Sequence, residues 1–449
     1  NLLNLLNRSP LRSLMENKEQ FVRKKNILVF PCGSEIGLEI HRALSYSSHI
    51  EVFGASSVPS NHGKYVYKNY IEGIPFVGDA GFINKLNELI DVYTIDFVFP
   101  AHDNVVLKLA ENQNELHCKI IGSPVETCRI CRSKKLTYET FESVIAVPKI
   151  YSRIDEDVKF PVFLKPNVGQ GSKSTFIANS KEEVLFYLER NNSLLLLEFL
   201  PGREYTIDCF TDRHGILRFA GGRERLRISN GISVDTYPVF NEKFTKLAHI
   251  INKTLKFRGA WFFQVKERND GEFVLLEIAP RIAGAMGLHR NCGINMPLLS
   301  IFDAQNVDVE IYYNNYFIEM DRALINRFAT KLVYHHVYID LDDTIIINNN
   351  SVNIWIIAFL YQCLNKGIKI HLISRHPSNI KETLRKYRLE SVFDTVININ
   401  LLEEKSDYIK ENSSIFIDDS FSERKQIFKK KGIPTFDINS IECLLDWRV

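Results

Sequence analysis

Phe160-Pro-Val-Phe-Leu-Lys-Pro-Asn-Val-Gly-Gln-Gly-Ser-Lys-Ser-Thr175 runs an apolar, strand-like segment straight into a glycine-rich loop. The strand delivers Lys165, and the loop carries Gly169, Gly171, Ser172 and Ser174. Glycines let backbone N–H groups close on phosphate oxygens, and a lysine adds a point charge, so phosphate cradling is physically reasonable. A flexible hairpin without a ligand has the same local pattern. The flanking segments decide between the two.

Upstream, Asn26-Ile-Leu-Val-Phe-Pro-Cys-Gly-Ser-Glu-Ile-Gly37 is an apolar strand entering a glycine turn, and a helix over 38–45 follows. The amino end of that helix is free for an anion. Further strands are expected at Ile50–Gly54 and Asp96–Phe99, so a parallel sheet spans 26–122. Gly33-x-x-x-Gly37 lacks the fuller GxGxxG pattern of dinucleotide binding. The last strand runs into Pro100-Ala-His-Asp-Asn104, placing His102 and Asp103 where α/β sheets bind ligands. Either these residues contact a carboxylate substrate, or Asp103 caps the following helix.

Downstream stand Leu194-Leu-Leu-Leu-Glu-Phe-Leu-Pro-Gly-Arg-Glu-Tyr-Thr-Ile-Asp208, Gly259-Ala-Trp-Phe-Phe-Gln264 and Val274-Leu-Leu-Glu-Ile-Ala-Pro-Arg281. In this order and at these gaps they resemble the ATP-grasp enzymes, near the carbamoyl-phosphate synthase large-subunit branch. The resemblance covers about 26–320 and takes the preceding sheet as the family's amino-terminal, pre-ATP-grasp domain. It implies ATP and Mg²⁺ as cofactors. Lys134 and Lys165 would contact the nucleotide phosphates, and the loop with Gly169, Gly171 and Ser172 would close over them. Glu198, Phe199 and Leu200 would form the adenine hinge. Glu204 would accept the ribose hydroxyls, because two neighbouring O–H donors need two acceptor oxygens. Gln264 and Glu277 would ligate Mg²⁺. Arg281 would hold the transferring phosphoryl group, where bidentate donation is an advantage over lysine.

One departure stands out. The family usually reads Glu-x-Asn-Pro-Arg, and here Ala279 occupies the Asn position without a side-chain oxygen. Glu277 is then the only charged metal ligand assigned. The segment 213–227 carries Arg213, Arg218, Arg223, Arg225 and Arg227; as a strand it would put the last three on one face. Arg223 and Arg225 would grip an anionic co-substrate, or the row is a solvated face paired with carboxylates.

A second apolar run, Val337-Tyr-Ile-Asp-Leu-Asp-Asp-Thr344, brings Asp340 and Asp342 out together at a strand's carboxyl end. One carboxylate can attack phosphorus while the other protonates the leaving oxygen, and either can help hold Mg²⁺. Ser374 ends another apolar run, Lys405 follows 31 residues later, and Asp418-Asp419 end a third. This ordered set resembles the haloacid dehalogenase (HAD) superfamily of phosphohydrolases over roughly 334–449. The resemblance makes Asp340 the nucleophile, Asp342 the acid/base, Ser374 and Lys405 phosphate ligands, and Asp418 and Asp419 metal ligands beside the first two carboxylates. Asp343 stands where the family often has Gly. About 29 residues separate Thr344 from Ser374 and about 30 separate Ser374 from Lys405, too few for a cap domain. By the family's logic the substrate is large or another domain supplies the lid.

Composition sets the outer limits. At 449 residues and 45% hydrophobic content the chain holds about three domains. A net charge of +2 predicts no general attraction to nucleic acid or anionic membrane. Eight cysteines without paired spacing argue against disulfides or a zinc site, as in a reduced, cytoplasmic protein. Nothing resembles a membrane span or a signal-peptide core. The expected division is a helical segment at 1–25, an α/β domain at 26–122, the ATP-grasp domain at 123–330 and a Rossmann-like, cap-less HAD domain at 334–449, all of class α/β. The expected activity is ATP-dependent ligation of a small carboxylate to an amine through an acyl phosphate. A fused Mg²⁺-dependent phosphatase would act on a phosphorylated metabolite in the same small-molecule or polysaccharide-tailoring pathway. The alternative keeps the phosphatase and makes the ATP-grasp region a non-catalytic binding module. A homo-oligomer is compatible with either reading.

Overall fold

The computed structural model describes residues 24–445 except 155–157, 170, 172, 230 and 324–325, so the expected amino-terminal helix and Ser172 lie outside the described residues. Chain order begins with β1 (Lys25–Phe30), α1 (Glu35–Leu44), β2 (Ile50–Ala55), β3 (Asn69–Ile71), α2 (Phe82–Val92), β4 (Phe97–Pro100), α3 (Asp103–Glu111) and β5 (Lys119–Ile120). These five strands pair in parallel in the order β3-β2-β1-β4-β5. β1 reads apolar without alternation because both of its faces are covered. Ile27 and Val29 enter one core with Ile40 and Leu44, while Leu28 and Phe30 enter the other with Phe82 and Leu86. Ser34 caps α1 through the Gly37 N–H (2.9 Å). A Cβ on Gly37 would lie 2.6 Å from the Pro31 and Cys32 carbonyls, so this glycine serves close packing of helix on turn.

Two helices, α4 (Val125–Arg132) and α5 (Lys134–Phe141), lead into β6 (Ile150–Tyr151), β7 (Val162–Pro166), β8 (Phe176–Ala178), α6 (Lys181–Arg190) and β9 (Leu194–Glu198). Their antiparallel sheet, β6-β9-β7-β8, makes the glycine-rich loop the tip of the β7–β8 hairpin. Next come β10 (Glu204–Thr211), β11 (Leu217–Ser229), β12 (Ile232–Val239), α7 (Glu242–Thr254), β13 (Gly259–Glu267), β14 (Phe273–Ala279), α8 (Gly287–Asn291), α9 (Met296–Ala304), β15 (Ile318–Arg322) and β16 (Asn326–Thr330). The strands form a seven-stranded antiparallel sheet, β14-β13-β10-β11-β12-β15-β16. Along β13, Trp261 and Phe263 pack on α7, and Ala260 and Phe262 join the core of the first sheet, by the two-residue period.

The carboxyl-terminal part comprises β17 (His336–Ile339), the short pair β18 (Ile346–Ile347) and β19 (Ser351–Val352), α10 (Ile354–Asn365), β20 (Lys369–Ser374), α11 (Ile380–Lys386), β21 (Thr395–Asn398), β22 (Ser414–Ile417), α12 (Phe421–Lys431) and β23 (Thr435–Phe436). Its parallel sheet runs β21-β20-β17-β22-β23, so the ends of β17, β20 and β22 are adjacent. The core beneath it includes Leu288, Cys292, Ile318 and Met320 from the preceding part, so the two parts share buried surface. The side-chain amide of Asn314 pairs with the Thr435 backbone at the outer edge of β23.

Arg290 on α8 joins all three regions. Its guanidinium meets Glu39 of α1 at 2.8 Å, Glu442 at 2.5 Å and the Asn439 carbonyl, with Arg290 and Glu39 buried. All eight cysteines are free thiols. No helix among the described residues is long and apolar enough to cross a membrane.

Removing one partner of a buried ion pair leaves the other charge uncompensated. Arg290→Met is therefore expected to destabilise the fold by about 3–5 kcal/mol. Urea unfolding of the variant beside the parent measures it, and an unchanged midpoint would remove Arg290 from its joining role.

Candidate functional site

Two adjoining cavities, of about 260 and 190 Å³, lie between the hairpin sheet, the seven-stranded sheet and the carboxyl ends of the first sheet. Both touch Lys134, Gly169, Gly171, Arg225, Gln264 and Glu277. The smaller is lined further by Lys165, Glu198, Phe199, Leu200 and Glu204. The larger reaches His102, Asp103, Arg223, Ala279 and Arg281.

Lys165 is buried on β7 with its Nζ 3.3 Å from the Leu276 carbonyl. Burial first, and then the charge of Lys134, push its ammonium down to about 7, although Glu277 and Glu204 pull the other way. Lys134 donates to the Gly169 carbonyl at 3.4 Å. Gln264 and Glu277 face each other across the β13–β14 register. Glu204 pairs with Arg225 at 3.0 Å, and Glu198 with Arg268 at 2.7 Å.

Several expectations are corrected. His102, not Asp103, caps α3, through its Nδ1 and the Asn104 N–H (3.2 Å). Asp103 instead takes two hydrogen bonds from Arg281, at 2.5 and 2.9 Å. Burial raises the Asp103 carboxyl, but Arg281 and Arg132 outweigh it and hold it below the usual range. The row of three arginines is broken by a bulge between Arg225 and Arg227. Arg227 turns outward, 56% exposed, to Asp321, while Arg223 is buried against Asp208 at 2.8 Å with its Nη1 unpartnered. Sequence reading missed Arg132, which donates to the Gly169 carbonyl at 3.2 Å and so fixes the loop's base. It sits two residues before Lys134, but only the fold shows which way it points.

At the end of the carboxyl-terminal sheet a second group converges. Lys405 bridges Asp340 (2.6 Å) and Asp418 (2.7 Å), and oxygens of Asp340, Asp418 and Asp419 lie within 4.8 Å of one another. Asp342, expected beside them as a metal ligand, is not in that group. It holds the His376 ring at 2.9 Å and accepts from Ser374 Oγ at 3.3 Å. His376 was not singled out from the sequence, though it lies two residues past Ser374. Thr344 Oγ1 donates to Asp419 at 3.2 Å and accepts the Asp419 N–H at 3.0 Å. Burial and the Asp418 charge push Asp340 up to about 8 against the pull of Lys405, and burial with Asp418 pushes Asp419 up to about 7. One lysine does not balance three clustered carboxylates. That excess of buried anionic oxygen suits a hard divalent cation.

Comparison with known proteins bears on the first site. A family model described as "ATP-grasp in the biosynthetic pathway with Ter operon" matches residues 190–323, which span β9 to β15. The structure is similar to the biotin carboxylase–β-γ-ATP complex from Campylobacter jejuni, with a TM-score of 0.56 at 15% identity, over 66% of this chain and 75% of that one. The chain has the ATP-grasp fold. It is 30% identical over 198 residues to the carbamoyl phosphate synthase large chain of Clostridium beijerinckii, covering 39% of this chain. It is also 27% identical over 144 residues to the D-alanine–D-alanine ligase of Fusobacterium nucleatum, over 30% of this chain and 50% of that one. The chain spans 18% of the length of that carbamoyl phosphate synthase.

The raised carboxyls keep their protons in the fold, so their contribution to stability is present at low pH and is lost as pH rises through about 7 to 8. A cation at the cluster restores it. Millimolar Mg²⁺ is expected to raise the melting temperature by a few degrees at pH 8.5 and less at pH 6, and Asp418→Ala is expected to abolish the response. An equal shift in Asp418→Ala would place the cation elsewhere.

Proposed function

We propose that the chain is an ATP-dependent carboxylate–amine ligase with a Mg²⁺-dependent phosphohydrolase of the HAD type fused behind it, the units falling at 26–122, 123–330 and 334–449. The observation that carries the ligase reading is the convergence of Lys165, Lys134, Glu204, Gln264, Glu277 and Arg281 on one cleft. Lys165 and Lys134 would take the nucleotide phosphates under the hairpin loop, with the base against residues 198–200 and the ribose at Glu204. Glu204 already holds Arg225, so its second oxygen is the one left for a hydroxyl. Glu277 and Gln264 fit a Mg²⁺ site of few protein donors, and a bound ion would neutralise the transferring phosphoryl charge. Ala279 adds no side-chain oxygen, so water and nucleotide would complete the shell.

A carboxylate oxygen of the substrate would attack the γ-phosphorus, breaking its bond to the ADP oxygen. Arg281, fixed in orientation by Asp103, would hold the phosphoryl oxygens through the transfer. An amine nitrogen would then attack the carbonyl carbon, phosphate would leave with the bonding pair, and the amine would lose a proton. In the second site Asp340 would attack phosphorus while Asp342 protonates the departing oxygen, and water would then release phosphate from Asp340. His376, within 2.9 Å of Asp342, would orient that acid. Ala279 favours a second reading, in which only the phosphohydrolase turns over and the ATP-grasp part binds without catalysis.

ADP release by the Asp340→Asn variant with ATP, Mg²⁺ and a panel of amino acids and sugar acids separates the readings. Release that rises only with one carboxylate and one amine is the expected result; tight ATP binding with no release for any pair would leave the second reading. Binding itself has a signature, because a triphosphate should return the Lys165 ammonium to its charged form. Nucleotide binding at pH 8 is expected to take up close to one proton, and at pH 6 almost none. Calorimetry in buffers of differing ionisation heat reads this uptake, and a value unchanged in Lys165→Met would exclude Lys165.

A further inference from the structure

Two buried polar atoms without a partner stand together at one end of the larger cavity. Register puts Glu277 of β14, Gln264 of β13, Thr206 of β10 and Arg223 of β11 directly opposite one another on successive strands, so the four form one row across the sheet. From β14 to β11 the row covers three strand spacings, about 14 Å at roughly 4.8 Å each. At its far end Arg223 lines the cavity and is 2% exposed, and Thr206 is fully buried. Arg223 Nη1 and Thr206 Oγ1 both lack a hydrogen-bond partner. A buried donor left unpaired costs the desolvation of the whole group, so two of them on facing positions of adjacent strands mark a place for an acceptor.

The surroundings decide what kind of acceptor. Asp208 holds the guanidinium of Arg223 in one orientation, at 2.8 Å from Nε and 3.4 Å from Nη2. His289 stands 3.5 Å from Asp208, and its Nε2 donates to the Gly221 carbonyl. Nη1 is the nitrogen left for a ligand. Arg225, two residues on, is taken up by Glu204 at 3.0 Å and the Gly231 carbonyl at 2.7 Å. Among the described residues the cavity wall carries five lysine and arginine side chains against three carboxylates. Of those carboxylates, Glu35 pairs with Arg322 at 3.2 Å, Asp103 pairs with Arg281, and Glu277 stands at the opposite end of the row. An anionic oxygen therefore suits Nη1 better than a neutral one, and two donors match the two oxygens of a carboxylate.

We propose that the acid ligated in this cleft is a dicarboxylic acid, whose second carboxylate is held by Arg223 Nη1 and Thr206 Oγ1 while the reacting one lies at the Glu277 and Arg281 end. The inference rests on the ligase reading and narrows its substrate class. Asp208 is then a positioning residue, fixing the guanidinium plane as Asp103 does for Arg281.

The test titrates the straight-chain diacids from malonate to pimelate, each beside its monoamide, into the full chain loaded with Mg²⁺ and a non-hydrolysable ATP analogue, and reads binding by calorimetry. The monoamide keeps the shape and removes one charge. At least one diacid is expected to bind about tenfold or more tightly than its monoamide. Arg223→Lys keeps a cation for Asp208 but has no second nitrogen to offer, and is expected to bring that ratio toward one. Thr206→Val removes a hydroxyl that has no partner in the fold, so it is expected to weaken the diacid several-fold without lowering the melting temperature, and it carries the test if Arg223→Lys does not fold. Diacids that bind no better than their monoamides across the series, or a preference kept in both variants, would overturn the assignment and leave the ligase reading in place. Failure of the nucleotide itself to bind would overturn the ligase reading, and this assignment with it.

Discussion

The arrangement of the molecule depends on one buried cation. Arg290 sits where α8, α1 and the last turns of the chain meet, and a guanidinium there must be neutralised by groups that chain order keeps far apart. Glu39 lies 251 residues before it and Glu442 comes from the carboxyl-terminal end. A buried charge tolerates little displacement of its partners, because desolvation is offset only by close hydrogen-bonded geometry. The same contact ties α1, which packs on the first sheet, to the segment around Asn439 and Glu442. Around it the packing is continuous: Leu288 and Cys292 enter the core of the last sheet, and Asn314 extends its edge at Thr435.

The cleft around Lys165 is governed by a different imbalance. Lys165 and Lys134 are close enough to oppose each other's charge, and Lys165 rests between the Leu276 carbonyl at 3.3 Å and the face of the Tyr138 ring, 5.4 Å from its centroid. A site holding two amines in this way is better matched to an anion than to water. Arg281 is handled in the opposite manner, with Asp103 gripping it at both Nε and Nη2. That grip fixes the plane of the guanidinium before any ligand arrives and leaves Nη1 on the Ile282 carbonyl. Preorganisation of this kind limits the rearrangement that binding an anion there requires.

The sequence was most readable where a local pattern has one physical cause. An unbroken apolar run meant a strand covered on both faces, as in β1, and strand ends carrying Asp340, Ser374 and Asp418 meant side chains gathered at one edge of a parallel sheet. Pairings across long separations were not readable. Asp103 and Arg281 lie 178 residues apart, and the helix-cap role considered for Asp103 went to His102, whose Nδ1 accepts the Asn104 N–H. The two-residue period predicted three aligned arginines in β11, but it fails at a bulge, which adds a residue without a sequence signature of its own. Asp342 was grouped with the other carboxylates by spacing, whereas the turn after β17 directs it to His376.

Ala279 can be weighed against the geometry around it. It lines the larger cavity at the end of β14, two residues beyond Glu277, and its neighbours hold the positions the motif requires. Gln264 still faces Glu277 across the strands, and Arg281 is still held by Asp103. The Arg281–Asp103 pair is half-buried, so it stabilises little once the desolvation of both groups is counted, and its effect is to hold the guanidinium plane at the wall of the larger cavity beside Glu277.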